Sequence, residues 1–354
     1  GVPEHRFFPH DTWRRLSART LREWSRRRFG YPPSEGLPAL REAIAHHVAF
    51  ARAVACGADD VVVTSGAQQG FDLLARLLVT PGVTKVAFED PSYPPARAAF
   101  AVAGAVLAPM PVDDEGLCVE ALPADTRVIV VTPSHQSPTG AALSLRRRAA
   151  LLEFANRHDA VIVEDDYDGE FRFGGRPLDA LQTLDRDARV FYVGTFSKSL
   201  FPALRKGFVV APEWARDALV AVKHCADSHS DTITQSVLAE FIRDGHLARH
   251  VRRMQPVYAA RRDALLDGIA RELDDWLAPI PSEAGLHLAA RLRRPERASA
   301  FFARVREHLP GAQATTEYAM GDVPPALAIG YGVIDAEAIA PALQRLAAAL
   351  RNVD

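Results

Sequence analysis

Short apolar runs alternate with helical patterns along most of the chain. The apolar runs are rich in β-branched residues, which favour strands. They lie at Val61–Thr64, Val86–Phe88, Val128–Thr132, Val161–Glu164, Val190–Val193 and Phe208–Val210. Continuous apolar strands indicate a sheet buried on both faces, and their alternation with helices indicates that most strands run parallel. The pattern therefore predicts an α/β fold with a mainly parallel central sheet and helices on both faces.

Helical patterns lie before, between and after these strands. They are predicted at Asp11–Arg28, from Pro38 onward, from Ser65–Gly70 through Leu78, at Pro95–Ala103, at Leu143–Arg157 and at Ala215–Cys225. From about His246 the pattern changes to long helices rich in Arg, Ala and Leu, with strand-like segments at Gly285–Leu292 and Leu327–Tyr331. We interpret this part as a smaller α+β domain. The predicted division is a large domain over 46–243 and a small domain over 1–45 and 244–354.

Polar clusters follow several of the predicted strands. They are Ser65–Gln68, Ser134–Thr139, Asp165–Tyr167 and Thr195–Lys198. Parallel strands end at a shared edge of the sheet, where ligands bind in folds of this class. The first cluster also opens a helix, and its backbone N–H groups favour an anion there. The sequence therefore predicts one ligand site at the carboxyl edge of the sheet.

The cluster around Lys198 indicates which ligand this is. Thr195 and Ser197 flank the lysine, and Arg205 follows seven residues later. A lysine amine forms an imine with an aldehyde, whereas hydroxyls and a planar guanidinium suit a phosphate. The other lysines are Lys85, Lys206 and Lys223. The pattern is typical of a site for pyridoxal phosphate (PLP).

PLP chemistry also needs a carboxylate beside the pyridine nitrogen and an aromatic platform. Asp165 is the predicted carboxylate, Tyr167 the predicted partner of the ring hydroxyl, and Tyr93 the residue predicted to stack on the ring. The acidic triplet Glu164–Asp166 has two alternative interpretations, a polar strand end or a magnesium site. Its spacing to Lys198 favours the cofactor.

Composition narrows the classes of function. The chain has 354 residues, 48% of them hydrophobic, and a net charge of −2, so nothing in its overall charge favours a nucleic acid or an acidic membrane surface. The arginine runs at 14–15, 26–28, 146–148 and 252–253 are interpreted as solvated helix faces.

The cysteines indicate the cell compartment, and the first residues indicate whether the chain is a fragment. Cys56, Cys118 and Cys225 are too dispersed for a disulfide framework or a Cys-x-x-Cys metal site, which predicts a reducing cytoplasm. No apolar run approaches the span of a bilayer. Because the chain starts at Gly1 without a methionine or a signal-peptide pattern, we expect a fragment of a longer protein.

Taken in order, these motifs resemble fold type I PLP enzymes of the aspartate aminotransferase superfamily. Within it they resemble the aminotransferase-like domain of MocR/GabR-type transcriptional regulators, over essentially the whole chain. The segments that carry the resemblance are Phe8–Arg15, Gly36–Arg41, Val63–Gln69, Thr132–Gly140, Glu164–Asp168, Gly194–Lys198 and Gly245–His250.

The resemblance implies roles for individual residues. Lys198 would be the Schiff-base lysine and Asp165 the partner of the pyridinium. The residues implied to hold the phosphate are Thr195, Ser197, Arg205 and the turn Gly66, Ala67 and Gln68. Tyr31 would reach the cofactor of a partner subunit, which implies a homodimer. No metal is implied.

Two departures from the family pattern concern the ring and the substrate. Ser137 stands where aminotransferases carry an asparagine that donates to the ring hydroxyl, so we expect that contact to be shortened or lost. Ala328 stands where they carry an arginine for the substrate carboxylate. Nearby arginines are candidates to replace it, although Arg291 fits a solvated position equally well. They are Arg291, Arg293 and Arg294.

Three functions follow from this interpretation. The first is a domain that senses an amine or amino-acid effector through PLP, in a regulator whose DNA-binding module lies outside this chain. The second is a free-standing aminotransferase. The third, a PLP-dependent lyase or decarboxylase, is disfavoured by the motif match. No membrane partner is predicted.

Overall fold

The computed structural model describes residues 1–26, 30–174 and 178–351, and within them eight strands form the larger sheet. The strands are β1 (Val61–Thr64), β2 (Lys85–Asp90), β3 (Val106–Asp113), β4 (Gly116–Leu117), β5 (Thr126–Val131), β6 (Val161–Asp166), β7 (Val190–Thr195) and β8 (Gly207–Val210). Their order is β1-β8-β7-β6-β5-β2-β3-β4. The five strands from β7 to β3 in this order pair in parallel, whereas β8 is antiparallel to both β1 and β7. The prediction of a mainly parallel sheet is confirmed.

Helices cover both faces of this sheet. The helices of the described residues are α1 (His10–Trp24), α2 (Pro38–Arg52), α3 (Ala67–Leu78), α4 (Pro94–Val102), α5 (Leu145–Arg157), α6 (Leu181–Leu184), α7 (Arg216–Asp227), α8 (Thr232–Arg243), α9 (His246–Glu272), α10 (Ala298–His308) and α11 (Ala336–Leu350). One face packs against α3, α4 and α7, and the other against α1, α2, α5, α6 and α8. Successive residues of a strand point to opposite faces of the sheet. Val163 therefore packs on the face covered by α3, α4 and α7, and Ile162 packs on the other.

The smaller sheet is antiparallel and has four strands among the described residues. They are β9 (Leu277–Pro279), β10 (His287–Leu292), β11 (Ala312–Ala314) and β12 (Ala326–Gly330), in the order β11-β12-β10-β9. Helices α9, α10 and α11 share a core with one face of this sheet, through residues such as Leu265, Phe301 and Leu343. The other face is therefore available to the larger sheet. The predicted α+β character of this part is confirmed, whereas the exact domain boundaries stay a prediction.

Some element limits differ from the prediction. Helix α1 ends at Trp24 rather than Arg28, and Arg27 and Arg28 lie outside the described residues. Strand β3 was missed because Pro109 and Pro111 interrupt its apolar pattern. Among the described residues, none of the helices combines the length and the apolar character that a membrane crossing requires.

Candidate functional site

A cavity of about 290 Å³ opens between the carboxyl edge of the larger sheet and the smaller sheet. Its walls include strand ends of the larger sheet, such as Asp165 and Thr195, and Ala328 of β12. The candidate residues that line it are Ala67, Gln68, Tyr93, Ser137, Asp165, Tyr167, Thr195, Ser197, Lys198 and Arg205. Gly66 lies directly behind this lining, and Tyr31 lies elsewhere.

Lys198 stands apart from the other lysines, all of which the structure describes. Its Nζ lies inside the cavity wall and donates to the backbone oxygen of Gly1 at 2.7 Å. Burial lowers the pKa of Lys198, which favours the neutral, nucleophilic amine. The others are engaged elsewhere: Lys85 with Asp125, Lys206 with Asp231 and Lys223 with Asp227.

The neighbouring carboxylates Asp165 and Asp166 of β6 face opposite sides of the sheet. Asp166 accepts from Arg52 Nε at 2.6 Å and from the Tyr192 hydroxyl at 2.7 Å. Asp165 lines the cavity, and its buried Oδ1 has no hydrogen-bond partner among the described residues. Burial, reinforced by Asp166, Asp168 and Glu89, raises the pKa of Asp165 well above its usual value. Asp165 is thus the carboxylate left for a cationic ligand atom.

The third member of the triplet, Glu164, binds the backbone of α6. Its two oxygens accept from the N–H groups of Leu181 at 2.8 Å and Gln182 at 2.9 Å. Glu164, Asp165 and Asp166 therefore serve three separate environments. This geometry does not support the magnesium alternative for the triplet.

The opposite end of the cavity gathers groups that suit a phosphate. Thr195 Oγ1 donates to Ser197 Oγ at 3.0 Å, and Arg205 Nη2 donates to the Ser65 carbonyl oxygen at 2.7 Å. Helix α3 begins beside them at Ala67, so its positive end also faces this region. At Gly66, where φ is +85°, a Cβ would lie 2.8 Å from Arg205 Nη2. Only glycine lets the backbone approach the guanidinium so closely.

Tyr167 belongs to a buried polar cluster that also includes His135, Asp168 and His287. His135 Nδ1 lies 3.0 Å from both the Tyr167 hydroxyl and Asp168 Oδ2. The pKa of Tyr167 is raised well above its usual value, chiefly by burial. His135, Asp168 and His287 also bring potential metal-ligating atoms within 4.8 Å of one another. His135 Nδ1 and His287 Nε2 are already engaged, the latter with the Pro138 carbonyl at 3.1 Å.

The two other tyrosine candidates are placed differently. Tyr93 is 41% exposed at the cavity mouth and lines it, where its ring can cover a planar ligand. Tyr31 is 93% exposed and contacts the ring of His229, with 6.1 Å between centroids. It is absent from the cavity of its own chain. Its contact with a partner subunit stays a prediction.

The sequence interpretation missed several cavity residues. They are Gly1, Phe71, Pro138, Pro202, His287, Gly311, Gln313, Tyr318 and Gly330. His287, Gln313 and Tyr318 come from the smaller sheet and its loops, and no local motif marks them. His135 had a signal, because it lies inside the segment Thr132–Gly140 that carried the family resemblance.

The residues present fit PLP at each of its polar ends. The unpartnered Asp165 Oδ1 suits a protonated ring nitrogen, and the cradle of Gly66, Thr195, Ser197 and Arg205 suits a phosphate. Lys198 supplies an amine on the same cavity wall. A buried carboxylate without a partner is costly in an empty site, so its presence points to a cationic partner in the loaded one.

Comparison with known proteins agrees with this geometry. A family model described as aminotransferase class I and II matches residues 5–345. The chain is 41% identical over 295 residues to the probable rhizopine catabolism regulatory protein MocR of Rhizobium meliloti, covering 83% of this chain and 60% of that protein. It is 38% identical over 273 residues to the HTH-type transcriptional regulator TauR of Rhodobacter capsulatus, covering 76% of this chain and 56% of that protein.

A solved structure matches over nearly its whole length. It is LysN, the α-aminoadipate aminotransferase of Thermus thermophilus, complexed with N-(5'-phosphopyridoxyl)-L-leucine. The TM-score is 0.89 at 30% identity, covering 100% of this chain and 91% of that one. By contrast, the chain spans about three-fifths of the length of these two regulators.

Proposed function

Because the chain belongs to the class I and II aminotransferase family and has pyridoxal phosphate as its cofactor, we propose that it is the effector-sensing domain of a MocR/GabR-type transcriptional regulator. The observation that carries the proposal is the cavity itself, which presents Lys198, Asp165 and Arg205 to one ligand. The similarity to regulators longer than this chain supports a DNA-binding module outside it. The proposed effector is an amine or amino acid.

PLP, when bound, supplies an aldehyde that condenses with amines and a ring that accepts electrons. The protein residues divide the work of holding it. Asp165 holds a proton on the ring nitrogen, and Arg205, Thr195 and Ser197 hold the phosphate. Tyr167 is protonated at neutral pH like any tyrosine, and burial raises its pKa further, so its hydroxyl is available to donate a hydrogen bond at the ring edge.

The substrate side of the cavity favours sensing over turnover. Ala328 offers neither charge nor hydrogen bonds, and the candidate replacements point elsewhere. Arg291 pairs with Asp114, Arg293 pairs with Asp274, and Arg294 lies over the Trp276 ring. A substrate without a carboxylate clamp is poorly oriented for proton removal by Lys198, and positioning of this kind is worth several kcal/mol, on the order of two or more decades in rate. We therefore expect the domain to bind its amine or amino-acid ligand without transferring the amino group efficiently.

Reduction of the loaded protein with borohydride followed by peptide mapping tests the cofactor assignment. We expect the label on Lys198, and its loss in Lys198→Ala. Lys206→Ala is the matched control, because Lys206 lies eight residues away and contacts Asp231 instead of the cavity. Label on Lys206 or another lysine would refute the assignment.

The second candidate, a free-standing aminotransferase, is favoured by the match to nearly the whole of the LysN structure. Stopped-flow spectra with alanine, glutamate and aspartate separate the two functions. The sensor predicts slow and incomplete amino transfer to the cofactor. Rapid and complete transfer would replace the sensor with the enzyme.

The assembly and location of the protein are part of the same proposal. Tyr31 is a large aromatic side chain that is almost fully exposed, as expected for a residue that reaches a partner subunit. We propose a homodimer located in the cytoplasm, where the three cysteines, free in the structure, stay reduced. Analytical ultracentrifugation of the loaded protein tests the dimer.

A further inference from the structure

The positive charge of the cavity is needed to hold the cofactor itself. Among the described residues, the cationic side chains that line it are Lys198 and Arg205. Both are committed to the cofactor if the proposed function holds.

The wall opposite the cofactor residues is neutral. Ala328 is 8% exposed and pairs across the smaller sheet with Ala289 on one side and Gln313 on the other. Gln313 Oε1 accepts from the Tyr318 hydroxyl, which leaves its amide N–H groups as donors. His287, on the neighbouring strand, also lines this wall, and its pKa is lowered well below the usual value, chiefly by burial. This wall offers hydrogen bonds to a neutral group and no charge to an anion.

The acid that lines the cavity is also engaged by the cofactor, since Asp165 is assigned to the ring nitrogen. A ligand carboxylate placed against the Ala328 wall would lose its water and find there, among the described residues, no cationic side chain that the cofactor leaves free. A neutral hydroxyl, amide or aliphatic group meets none of these penalties.

We infer that the effectors of this domain are amines that lack an α-carboxylate, held on the Ala328 wall by neutral contacts. This inference rests on the proposed function and specifies its ligand class. A buried acceptor left without its partner keeps its full desolvation cost, which is roughly tenfold or more in affinity and larger for a charged group. Within a pair of ligands that differ only in the carboxylate, we expect the amine to bind at least about tenfold more tightly.

Matched ligand pairs provide the test. Tyramine and tyrosine, agmatine and arginine, and cadaverine and lysine are titrated into the PLP-loaded protein, with dissociation constants from calorimetry and from the cofactor absorbance. The expected result is tighter binding of the decarboxylated member in any pair that binds. Equal or tighter binding of the amino acids would overturn the inference and leave the sensor function standing. If no member of any pair binds although Lys198 carries the cofactor, both fail.

Substitutions on the wall sharpen the test. Ala328→Arg restores a cation, and we expect it to reverse the preference toward the amino acids. Ala328→Met is the matched control for side-chain size, long but uncharged; a reversal in this variant as well would show that size and not charge selects the ligand and would overturn the inference. Gln313→Arg places the same charge on the paired, exposed position, so a folding defect of Ala328→Arg does not leave the question open. If both arginine variants keep the wild-type preference while folded, charge on this wall does not select the ligand and the inference is wrong.

Discussion

Replacing Asp165 and Asp166 separately by asparagine should produce opposite effects, although the two residues are adjacent. Asp166 pairs with Arg52, and each of the two is about 5% exposed. Asp166→Asn leaves the Arg52 guanidinium charged, buried and without its carboxylate, and breaking a buried pair in this way costs about 3–5 kcal/mol. By contrast, Asp165 Oδ1 accepts no hydrogen bond from the described residues, so replacing Asp165 breaks none at that atom. We therefore expect Asp165→Asn to leave the cofactor-free protein as stable as the wild type or more stable.

The pH dependence gives the second half of this prediction. Burial raises the folded-state pKa of Asp165 well above its unfolded value of about 3.9. Between these two pKa values, the folded state keeps a proton on Asp165 that the unfolded state has released. The wild type therefore loses stability as pH rises above about 4. Asparagine does not titrate. The stability advantage of Asp165→Asn should therefore grow with pH, by up to about 1.4 kcal/mol per unit, until the folded-state pKa is passed.

The affinity for PLP should change in the opposite way, falling in Asp165→Asn and staying close to the wild-type value in Asp166→Asn. Asp165→Asn loses a charge-assisted hydrogen bond to the ring nitrogen, worth about 1.5–3 kcal/mol, and should bind PLP roughly ten- to a hundredfold more weakly. Asp166→Asn, where folded, keeps the cavity side chains and should bind within a few-fold of wild type.

Urea unfolding of the cofactor-free proteins between pH 5 and 8, together with absorbance titrations with PLP, measures both effects. The two variants serve as controls for each other. The reasoning would be refuted if Asp165→Asn were the destabilised variant, or if Asp166→Asn lost the cofactor while unfolding like the wild type. The second result would mean that Asp166 faces the cofactor.

Three further variants test other parts of the structure. Gly66→Ala should weaken PLP binding about tenfold or more, because its Cβ would press on Arg205 at the phosphate end of the cavity. Gly82→Ala is the control, since Gly82 has a similar positive φ of +71° but open space around its Cβ. Equal losses of PLP affinity in the two variants, measured by equilibrium dialysis, would contradict this reasoning. Arg261→Met should lower the free energy of unfolding in urea by about 1.5–3 kcal/mol, because buried Glu4 loses one charged hydrogen bond but keeps its pair with Arg6. A loss within about 0.5 kcal/mol, as for an exposed substitution, would contradict this. Tyr31→Ala should leave stability within about 0.5 kcal/mol, because the side chain is exposed, but weaken PLP binding; unchanged binding would argue against a role in a partner's site.

Much of the fold and the cofactor end of the site follows from local sequence. Strand patterns, turn residues and the cluster around Lys198 are each contained within about ten consecutive residues, and side chains at the carboxyl ends of parallel strands must meet at one edge. That rule placed Asp165, Thr195 and Lys198 on a common cavity before any distance was known. It could not decide between Asp165 and Asp166, because alternation shows only that neighbours face opposite sides of the sheet.

The substrate side of the site depends on contacts between distant parts of the chain. Ala328 and Gln313 belong to antiparallel strands of the smaller sheet, and their position beside the cofactor residues comes from the packing of that sheet on the larger one. Arg291 illustrates the same limit, since its place in the sequence suits a solvated position as well as a replacement for the carboxylate clamp. In the structure it lies at the surface and pairs with Asp114, 177 residues away. Such pairings are set by the register and packing of whole elements, which the pattern within any one segment does not contain.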